Sequence, residues 1–340
     1  MLKKILTASI SVFSFLVTDA QTDSTKKAST TFSGFVDAYY RYSFADAPGK
    51  TNNLTSFTNA QNDFELGMAS IRIDHSFGKV SATADLGFGR RAQEFSYNDV
   101  GSLASVKQLF ITYAPSDKVK FTFGKWATHI GYELVDPIGN RNYSMSYGFS
   151  YGPFFHTGIR TDISLGGKSA FMVGVANTTD YSTTSNPTKF VIAQFSTGTK
   201  DDKIKAYFNF QGGGGVTQYN IVATAALSSK WSMAYDGSIQ TTKANGASSN
   251  WKSNALYFNF DPTSKFGLTL RGDYFNDRKI NPVIGGNMFA ATLSANIKID
   301  RLTIIPEIRS DSGDQLLFSK GDGSTTKTVG SFIFAAVYKF

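Results

Sequence analysis

Four segments of the sequence place an arginine two residues before an aspartate, and each arginine directly follows an isoleucine or a leucine. These segments are Ile71-Arg72-Ile73-Asp74, Ile159-Arg160-Thr161-Asp162, Leu270-Arg271-Gly272-Asp273 and Ile308-Arg309-Ser310-Asp311. Residues two apart on a strand share a face, so each Arg lies beside its Asp while the aliphatic residue faces the other way. The pattern predicts ion pairs that stiffen a wall, or a field of mixed sign that passing solutes experience.

Residues that could form an enzyme or metal site are few. The chain has 340 residues, no Cys and three His, and the zinc-protease pattern H-E-x-x-H is absent although His129 and Glu133 are four apart. A hydrolase stays open as an alternative, built from His129 or His156 with Ser144 or Ser146. Because nothing in their spacing supports such a pair, we expect no catalytic residue, no cofactor and no metal.

The charge balance also argues against nucleic acid as a partner. Charged residues make up 18% of the chain, below the roughly 25% of an average soluble domain. The net charge of +8 comes from 34 basic and 26 acidic residues, and no run of Lys and Arg exceeds a pair. A scattered excess of this kind gives no basic stripe for a phosphate backbone.

The first twenty residues have the features of a secretory signal peptide. Lys3 and Lys4 precede an apolar run at 5–17, which is too short for the ~20 residues of a spanning helix. Small residues before a cut between Ala20 and Gln21 complete the pattern. We therefore predict a signal peptide at 1–20, a short polar tail at 21–31 and one β domain at 32–340.

Alternation of apolar and polar residues recurs along the whole remaining chain. About sixteen segments show it, each near the ~10 residues of a membrane-spanning strand. They begin near Phe32, Phe64, Val80, Leu103, Val119, Phe154, Ala170, Phe190, Lys203, Thr217, Lys230, Trp251, Phe266, Met288, Leu302 and Val329.

The connections between these segments alternate in length. Seven are short, near 77–79, 115–118, 166–168, 201–203, 228–230, 262–265 and 300–301. Eight are longer and polar, near 45–62, 92–102, 128–152, 178–187, 211–217, 242–250, 276–286 and 312–328. Short turns at one rim and long loops at the other predict an all-β, transmembrane, antiparallel up-and-down β-barrel of about sixteen strands, with short periplasmic turns and long extracellular loops.

An apolar face toward lipid requires the other face of each strand to line a lumen, because a charge facing lipid costs ~2–4 kcal/mol near the midplane. The predicted pore-lining residues are Asp37, Arg41, Arg72, Asp74, Asp85, Arg91, His156, Arg160, Asp162, Arg271, Asp273, Glu307, Arg309 and Asp311. The longest loop, Thr128 to Gly152, is the candidate constriction and carries Glu133, Asp136 and Arg141. The alternative is that this loop packs outside the barrel or over its mouth.

The last strand carries aromatic residues at alternate positions and ends in one. Phe332, Phe334, Tyr338 and Phe340 form this pattern, which bacterial barrel proteins share and which their insertion machinery recognises. We therefore expect outer-membrane lipid and the barrel-assembly machinery as partners, and the bacterial outer membrane as the location.

Several stretches of the sequence are distinctive. The most specific run from Phe121 to Glu133 (FTFGKWATHIGYE), from Asn140 to Ser144 (NRNYS) and from Tyr151 to Gly158 (YGPFFHTG). Two more, Gly34 to Tyr40 (GFVDAYY) and Phe64 to Met68 (FELGM), lie in the first two predicted strands. Together these stretches resemble the OmpL-like β-barrel porin family of Bacteroidota outer membranes, and the last two are similar to that family's first two strands.

The resemblance implies an outer-membrane channel for passive diffusion of small hydrophilic solutes, and it assigns no ligand residues. General porins fold their third loop into the barrel and are often trimers, so a homotrimer is possible. A non-conducting barrel that serves as an anchor or adhesin remains the main alternative.

Overall fold

The computed structural model describes residues 27–277 and 284–340. The predicted signal peptide, its cleavage site at Ala20 and Gln21 and most of the predicted polar tail lie outside the described residues. Within the described part, no helix has both the length and the hydropathy to cross a membrane.

Sixteen antiparallel strands of the described chain close into a barrel, in which each strand pairs with its neighbours in sequence and the last pairs with the first. Two further short strands, β16 and β17, pair with each other in the last loop. The strands are β1 Ala28–Ser43, β2 Asp63–Phe77, β3 Val80–Phe88, β4 Val106–Ser116, β5 Val119–Ala127, β6 Phe155–Gly166, β7 Ser169–Asn177, β8 Lys189–Gly198, β9 Ile204–Gly213, β10 Val216–Ala226, β11 Trp231–Ala244, β12 Ala247–Thr263, β13 Phe266–Asn276, β14 Asn287–Ile299, β15 Leu302–Gly313, β16 Phe318–Ser319, β17 Thr325–Thr326 and β18 Thr328–Lys339.

The predicted fold class and strand count are confirmed. Each predicted strand start lies within four residues of the first residue of a barrel strand. β1 begins at Ala28, inside the segment predicted as a polar tail, because Ala28 pairs with Phe77 at the start of the β1–β2 ladder. Short helices occupy two of the loops, at Arg90–Phe95 and Tyr147–Tyr151, and 3₁₀ turns lie at Gly101–Ser105 and Pro137–Gly139.

The two faces of the wall follow the alternation in the sequence. Ile71, Ile159, Leu270 and Ile308, which precede the four arginines, are 48–57% exposed on the outside. The arginines and aspartates of the same segments therefore lie on the inside, where they avoid the cost of facing lipid.

Two of the eight predicted long loops are wrong. The segments at 211–217 and 242–250 are tight hairpins, since β9 and β10 are joined by Gly214 and Gly215, and β11 and β12 by Asn245 and Gly246. All four residues have positive φ, between 51° and 85°. Asn-Gly and Gly-Gly adopt this conformation easily, and such two-residue turns match the twist of paired strands. The polar residues beside them extend the strands beyond the apolar band.

The barrel closes where β1 meets β18, in a register that runs from Phe35 opposite Lys339 to Ser43 opposite Ser331. Gly34 and Phe340 exchange two backbone hydrogen bonds, of 3.1 and 3.0 Å, at the end of this seam. A Cβ added to Gly34 would overlap the backbone carbonyl of Ser70 on β2 and lie 2.5 Å from a ring carbon of Phe340, so only glycine fits there. Of the aromatic residues predicted as an assembly signal, Phe332, Phe334 and Tyr338 lie on outward positions of β18, and Phe340 directly follows the strand.

Candidate functional site

The third loop, residues 128–154 between β5 and β6 and called loop 3 below, folds into the barrel. The backbone N–H groups of Tyr143 and Ser144 donate to the two carboxylate oxygens of Glu307 on β15, at 2.8 and 3.1 Å. The Tyr143 hydroxyl donates to Asp37 on β1. These contacts with strands from both ends of the chain hold the loop against the inner wall, and packing outside the barrel is not the arrangement seen.

Arg271 on β13 makes the largest set of contacts with loop 3. Its Nη1 donates to Glu133 Oε1 at 2.7 Å and to the carbonyl of Ser144 at 2.6 Å, and its Nη2 donates to the carbonyl of Met145 at 3.2 Å. Its Nε donates to Asp273 at 3.1 Å. The guanidinium is fully buried, and charge-assisted hydrogen bonds of this kind are about twice as strong as neutral ones.

Arg309 on β15 holds the next part of the loop. Its Nη1 donates to the carbonyl of Met145 at 2.6 Å, while Nε and Nη2 bind Asp311 at 2.8 Å. The Tyr147 hydroxyl also donates to Asp311, at 2.7 Å, and the guanidinium lies 5.3 Å from the centre of the Tyr147 ring. Met145 and Tyr147 of loop 3 thus both bind the Arg309–Asp311 ion pair of the wall.

The three residues predicted in the constriction loop are all ion-paired. Glu133 accepts from Arg271, Asp136 lies 2.6 Å from Lys107 on β4, and Arg141 binds Asp261 on β12 at 2.6 and 3.0 Å. Burial raises the pKa of Asp136, and the Lys107 ammonium opposes that shift. The charges of loop 3 therefore fasten it to the wall.

A ladder of side-chain amides binds the first part of loop 3. Asn209 donates to Asn220 and Asn220 donates to Asp236, both at 2.6 Å, across β9, β10 and β11. Asn220 and Asp236 in turn accept the backbone N–H groups of Gly131 and Tyr132, at 3.1 and 2.9 Å. Sequence reasoning missed this ladder, although all three polar residues occupy inward positions on three consecutive strands.

Most of the predicted pore-lining residues lie inside the barrel but are covered by loops. Arg72, Asp74, Arg160 and Asp162 keep 21–39% of their side chains exposed, toward the rim of short turns. Arg91 lies on the Arg90–Phe95 helix and not on the wall. The ten buried residues are Asp37, Arg41, Asp85, Arg91, His156, Arg271, Asp273, Glu307, Arg309 and Asp311.

Arg41 and Arg91 hold loops, as Arg271 and Arg309 do. Arg91 lies 4.6 Å from the centre of the Tyr143 ring and donates to the Tyr143 carbonyl at 3.4 Å. Arg41 donates to the carbonyls of Thr51 and Ala60 in the first loop, at 2.6 and 2.9 Å. A charge on an inward position was therefore a reliable sign of an inside location, but not of contact with the solute path.

The fourth loop, residues 178–188, is joined to the end of loop 3 by Asp180. Its Oδ1 accepts the backbone N–H groups of Phe154 and Phe155 at 2.7 and 3.0 Å, and its Oδ2 accepts the Tyr97 hydroxyl at 3.2 Å. Burial raises the pKa of Asp180 to about 6, against the opposing effect of these hydrogen bonds and of the Lys125 ammonium. One carboxylate thus connects three extracellular loops.

The histidines and serines of the hydrolase alternative do not form pairs in the described hydrogen bonds. Ser146 Oγ donates to Glu133 at 2.9 Å, and Ser144 Oγ accepts from Arg271 at 3.3 Å. His156 Nε2 lies 3.2 Å from Thr128 Oγ1. Residues 27–277 and 284–340 contain no group of three or more His, Cys, Asp or Glu that could hold a metal ion.

A closed antiparallel barrel with an apolar outer face, a charged inner face and a loop folded inside defines the class of outer-membrane channel proteins. The chain belongs to the family described as "Putative beta-barrel porin-2, OmpL-like", whose model matches residues 29–340. It is an outer-membrane porin, and passive diffusion is the general role of porins. No curated protein matches the chain.

Several solved structures of outer-membrane proteins have the same fold. The channel DcaP of Acinetobacter baumannii is 13% identical with a TM-score of 0.61, over 92% of this chain and 97% of that one. The anion-selective porin of Comamonas acidovorans is 11% identical with a TM-score of 0.61, over 92% and 100%. The trimer form of OmpT from Vibrio cholerae is 9% identical with a TM-score of 0.63, over 92% and 99%. At these identities the likeness shows the fold alone.

Proposed function

We propose that loop 3 sets the size limit of this porin and that the channel passes small hydrophilic solutes down their concentration gradients. The observation that carries the proposal is the position of loop 3, which is bound to β1, β4 and β10–β15 across the barrel interior. A loop held by buried ion pairs cannot swing freely, so it narrows the lumen permanently. The exposed charges at the short-turn rim, of both signs, face the remaining passage.

The test is single-channel conductance of the refolded chain, Gln21 to Phe340, in a planar bilayer with a salt gradient. Deletion of residues 133–145 should raise the conductance, because it removes the part of loop 3 that crosses the lumen. A matched control deletes residues 321–324, all of which are exposed in the last loop. Unchanged conductance after the first deletion, or a folded chain without openings, would contradict the proposal and favour the anchor or adhesin alternative.

We also propose that the chain is not an enzyme. The support is the pairing described above, in which the loop serines bind ion-paired Arg and Glu side chains. Phospholipid or peptide hydrolysis by the purified barrel that is lost on changing His156 or His129 would contradict this.

We further propose a homotrimer. Its support is indirect, since OmpT of Vibrio cholerae, with the same fold, is described in a trimer form. The mass of the detergent-extracted complex, measured by light scattering with the detergent subtracted, tests it: a value of one chain would contradict the trimer.

A further inference from the structure

The four Arg-x-Asp segments are alike in sequence but differ in pairing. Arg72 holds Asp74 with two hydrogen bonds of 2.7 and 2.8 Å, and Arg271 and Arg309 also donate to their own aspartates. Arg160 differs, because its Nε lies 3.5 Å from Asp162 and makes no hydrogen bond. Arg160 is thus the one arginine of the four that is ion-paired with its own aspartate but makes no hydrogen bond to it.

The charges around Arg160 leave a surplus of positive charge. Asp162 is shared with a second cation, since Lys120 Nζ on β5 lies 3.7 Å from the same carboxylate oxygen. Two cations and one carboxylate give this group a net charge of +1. Arg72 on β2, in contrast, lies near two carboxylates, at 2.7 Å from Asp74 and 4.0 Å from Asp85.

Buried polar atoms without partners lie next to Arg160. Its guanidinium lies 5.0 Å from the centre of the Trp126 ring, and Trp126 pairs with His156 across β5 and β6. Trp126 and His156 are 2% and 0% exposed, yet Trp126 Nε1 and His156 Nδ1 have no hydrogen-bond partner. A buried donor without an acceptor is unfavourable, so the two donors Trp126 Nε1 and Arg160 Nε would gain from a ligand that supplies acceptors.

The donor types determine what that ligand must be. An indole N–H and a guanidinium can only donate, so their partner must supply acceptor oxygens. The nearby ring of His129, 5.1 Å from that of His156, adds no negative charge. Arg160 is 21% exposed at the side chain, so this arginine can be reached from the lumen.

We propose that Trp126, His156 and Arg160 form a binding subsite for an oxyanion, a carboxylate or a phosphate, on the lumen wall of the porin. The subsite deepens the proposed channel function, because it would concentrate small organic anions beside the passage. The role of the subsite in transport rests on the proposed channel function. Binding of an anion to the subsite can be measured whether or not the barrel conducts.

Two measurements separate the subsite from the channel. Calorimetry on the folded barrel in detergent, with succinate, inorganic phosphate and glycerol as probes, measures binding directly. The current through the bilayer-inserted barrel, titrated with the same probes, measures transport. Binding without any current would overturn the proposed channel and keep the subsite, while a current with no saturable binding of either anion would overturn the subsite. Succinate alone or phosphate alone would assign the source of the oxyanion.

The variants compare Arg160, which makes no hydrogen bond to its aspartate, with Arg72, which makes two. Arg160→Gln should weaken anion binding at least tenfold, while the matched control Arg72→Gln should change it less than twofold. Trp126→Phe keeps the ring and removes only the N–H, so it should weaken binding by roughly fivefold, as expected for one buried hydrogen bond. Equal effects of Arg160→Gln and Arg72→Gln in correctly folded barrels would overturn the subsite, because they would show a general effect of charge.

Discussion

Replacement of Arg271 by methionine should release loop 3 from the wall. Methionine has a similar length but no donor, so Glu133 and Asp273 would stay buried without the Arg271 cation. The Ser144 carbonyl would lose its donor, and the Met145 carbonyl would keep only Arg309. Breaking one partner of a buried ion pair costs about 3–5 kcal/mol, which corresponds to a factor of roughly 10² to 10⁴ in the population of undocked loop. The open channel should become noisier and more conductive.

Trypsin offers an independent measurement of the same release. Arg141 is the single Lys or Arg in residues 128–154, and in the docked loop its guanidinium is held by Asp261. Arg271→Met should therefore make the 141–142 bond cleavable, whereas the wild-type barrel resists.

The control variant is Arg72→Met, which removes a half-exposed arginine of the same motif that does not contact loop 3. A pair of that exposure contributes only about 0–1 kcal/mol. If Arg271→Met leaves both the current noise and the resistance to trypsin unchanged, then loop 3 is not held by this ion pair and our reasoning about the constriction is wrong.

Three further predictions concern the loops, the seam and the lipid face. Burial raises the pKa of Asp180 to about 6, from 3.8 for an exposed aspartate, so Asp180 takes up a proton more readily in the docked loops than in undocked ones. The free energy of loop docking should therefore become more favourable by up to about 3 kcal/mol as the pH falls from 7 toward 4. Hydrogen exchange at Phe154 and Phe155 measures this change, and a pH effect that persists in Asp180→Asn would contradict it. Gly34→Val should displace the Phe340 ring and lower the fraction of folded, heat-modifiable barrel on unheated gels, with an unchanged fraction as the contrary result. Ile308→Lys, at an outward position near the middle of β15, should destabilise the barrel by ~2–4 kcal/mol in urea unfolding from vesicles, while no loss of stability would place Ile308 away from lipid.

The barrel could be predicted from the sequence because its cause is local and repeated. Apolar and polar residues alternate along each strand because one face contacts lipid and the other lines the polar interior. The alternation is visible in segments such as the one from Phe289 to Ile297. The two tight hairpins were missed for a related reason, since strands that extend beyond the lipid lose the apolar half of the pattern. The Asn245-Gly246 pair was the signal that could have located one of them.

The interior of the barrel could be predicted only in part. Alternation identified the inward charges, but whether each contacts solvent, a loop or another charge depends on partners that are distant in sequence, in several cases by more than one hundred residues. Tyr143, for example, binds Asp37 and Glu307, and neither contact leaves a trace in local spacing. For the same reason, the missing hydrogen bond between Arg160 and Asp162 is invisible in a motif that Arg160 shares with three hydrogen-bonded arginines.

The contacts of Tyr143 also have a consequence for the order of assembly. Its two partners lie on β1 and β15, and these strands come together only through β18, which is made last. Contacts between distant parts of a chain form late, because the entropy of closing the intervening chain must first be overcome. We therefore expect a newly inserted barrel to pass through a leaky stage, in which the wall is complete but loop 3 is still undocked, before it reaches its final permeability.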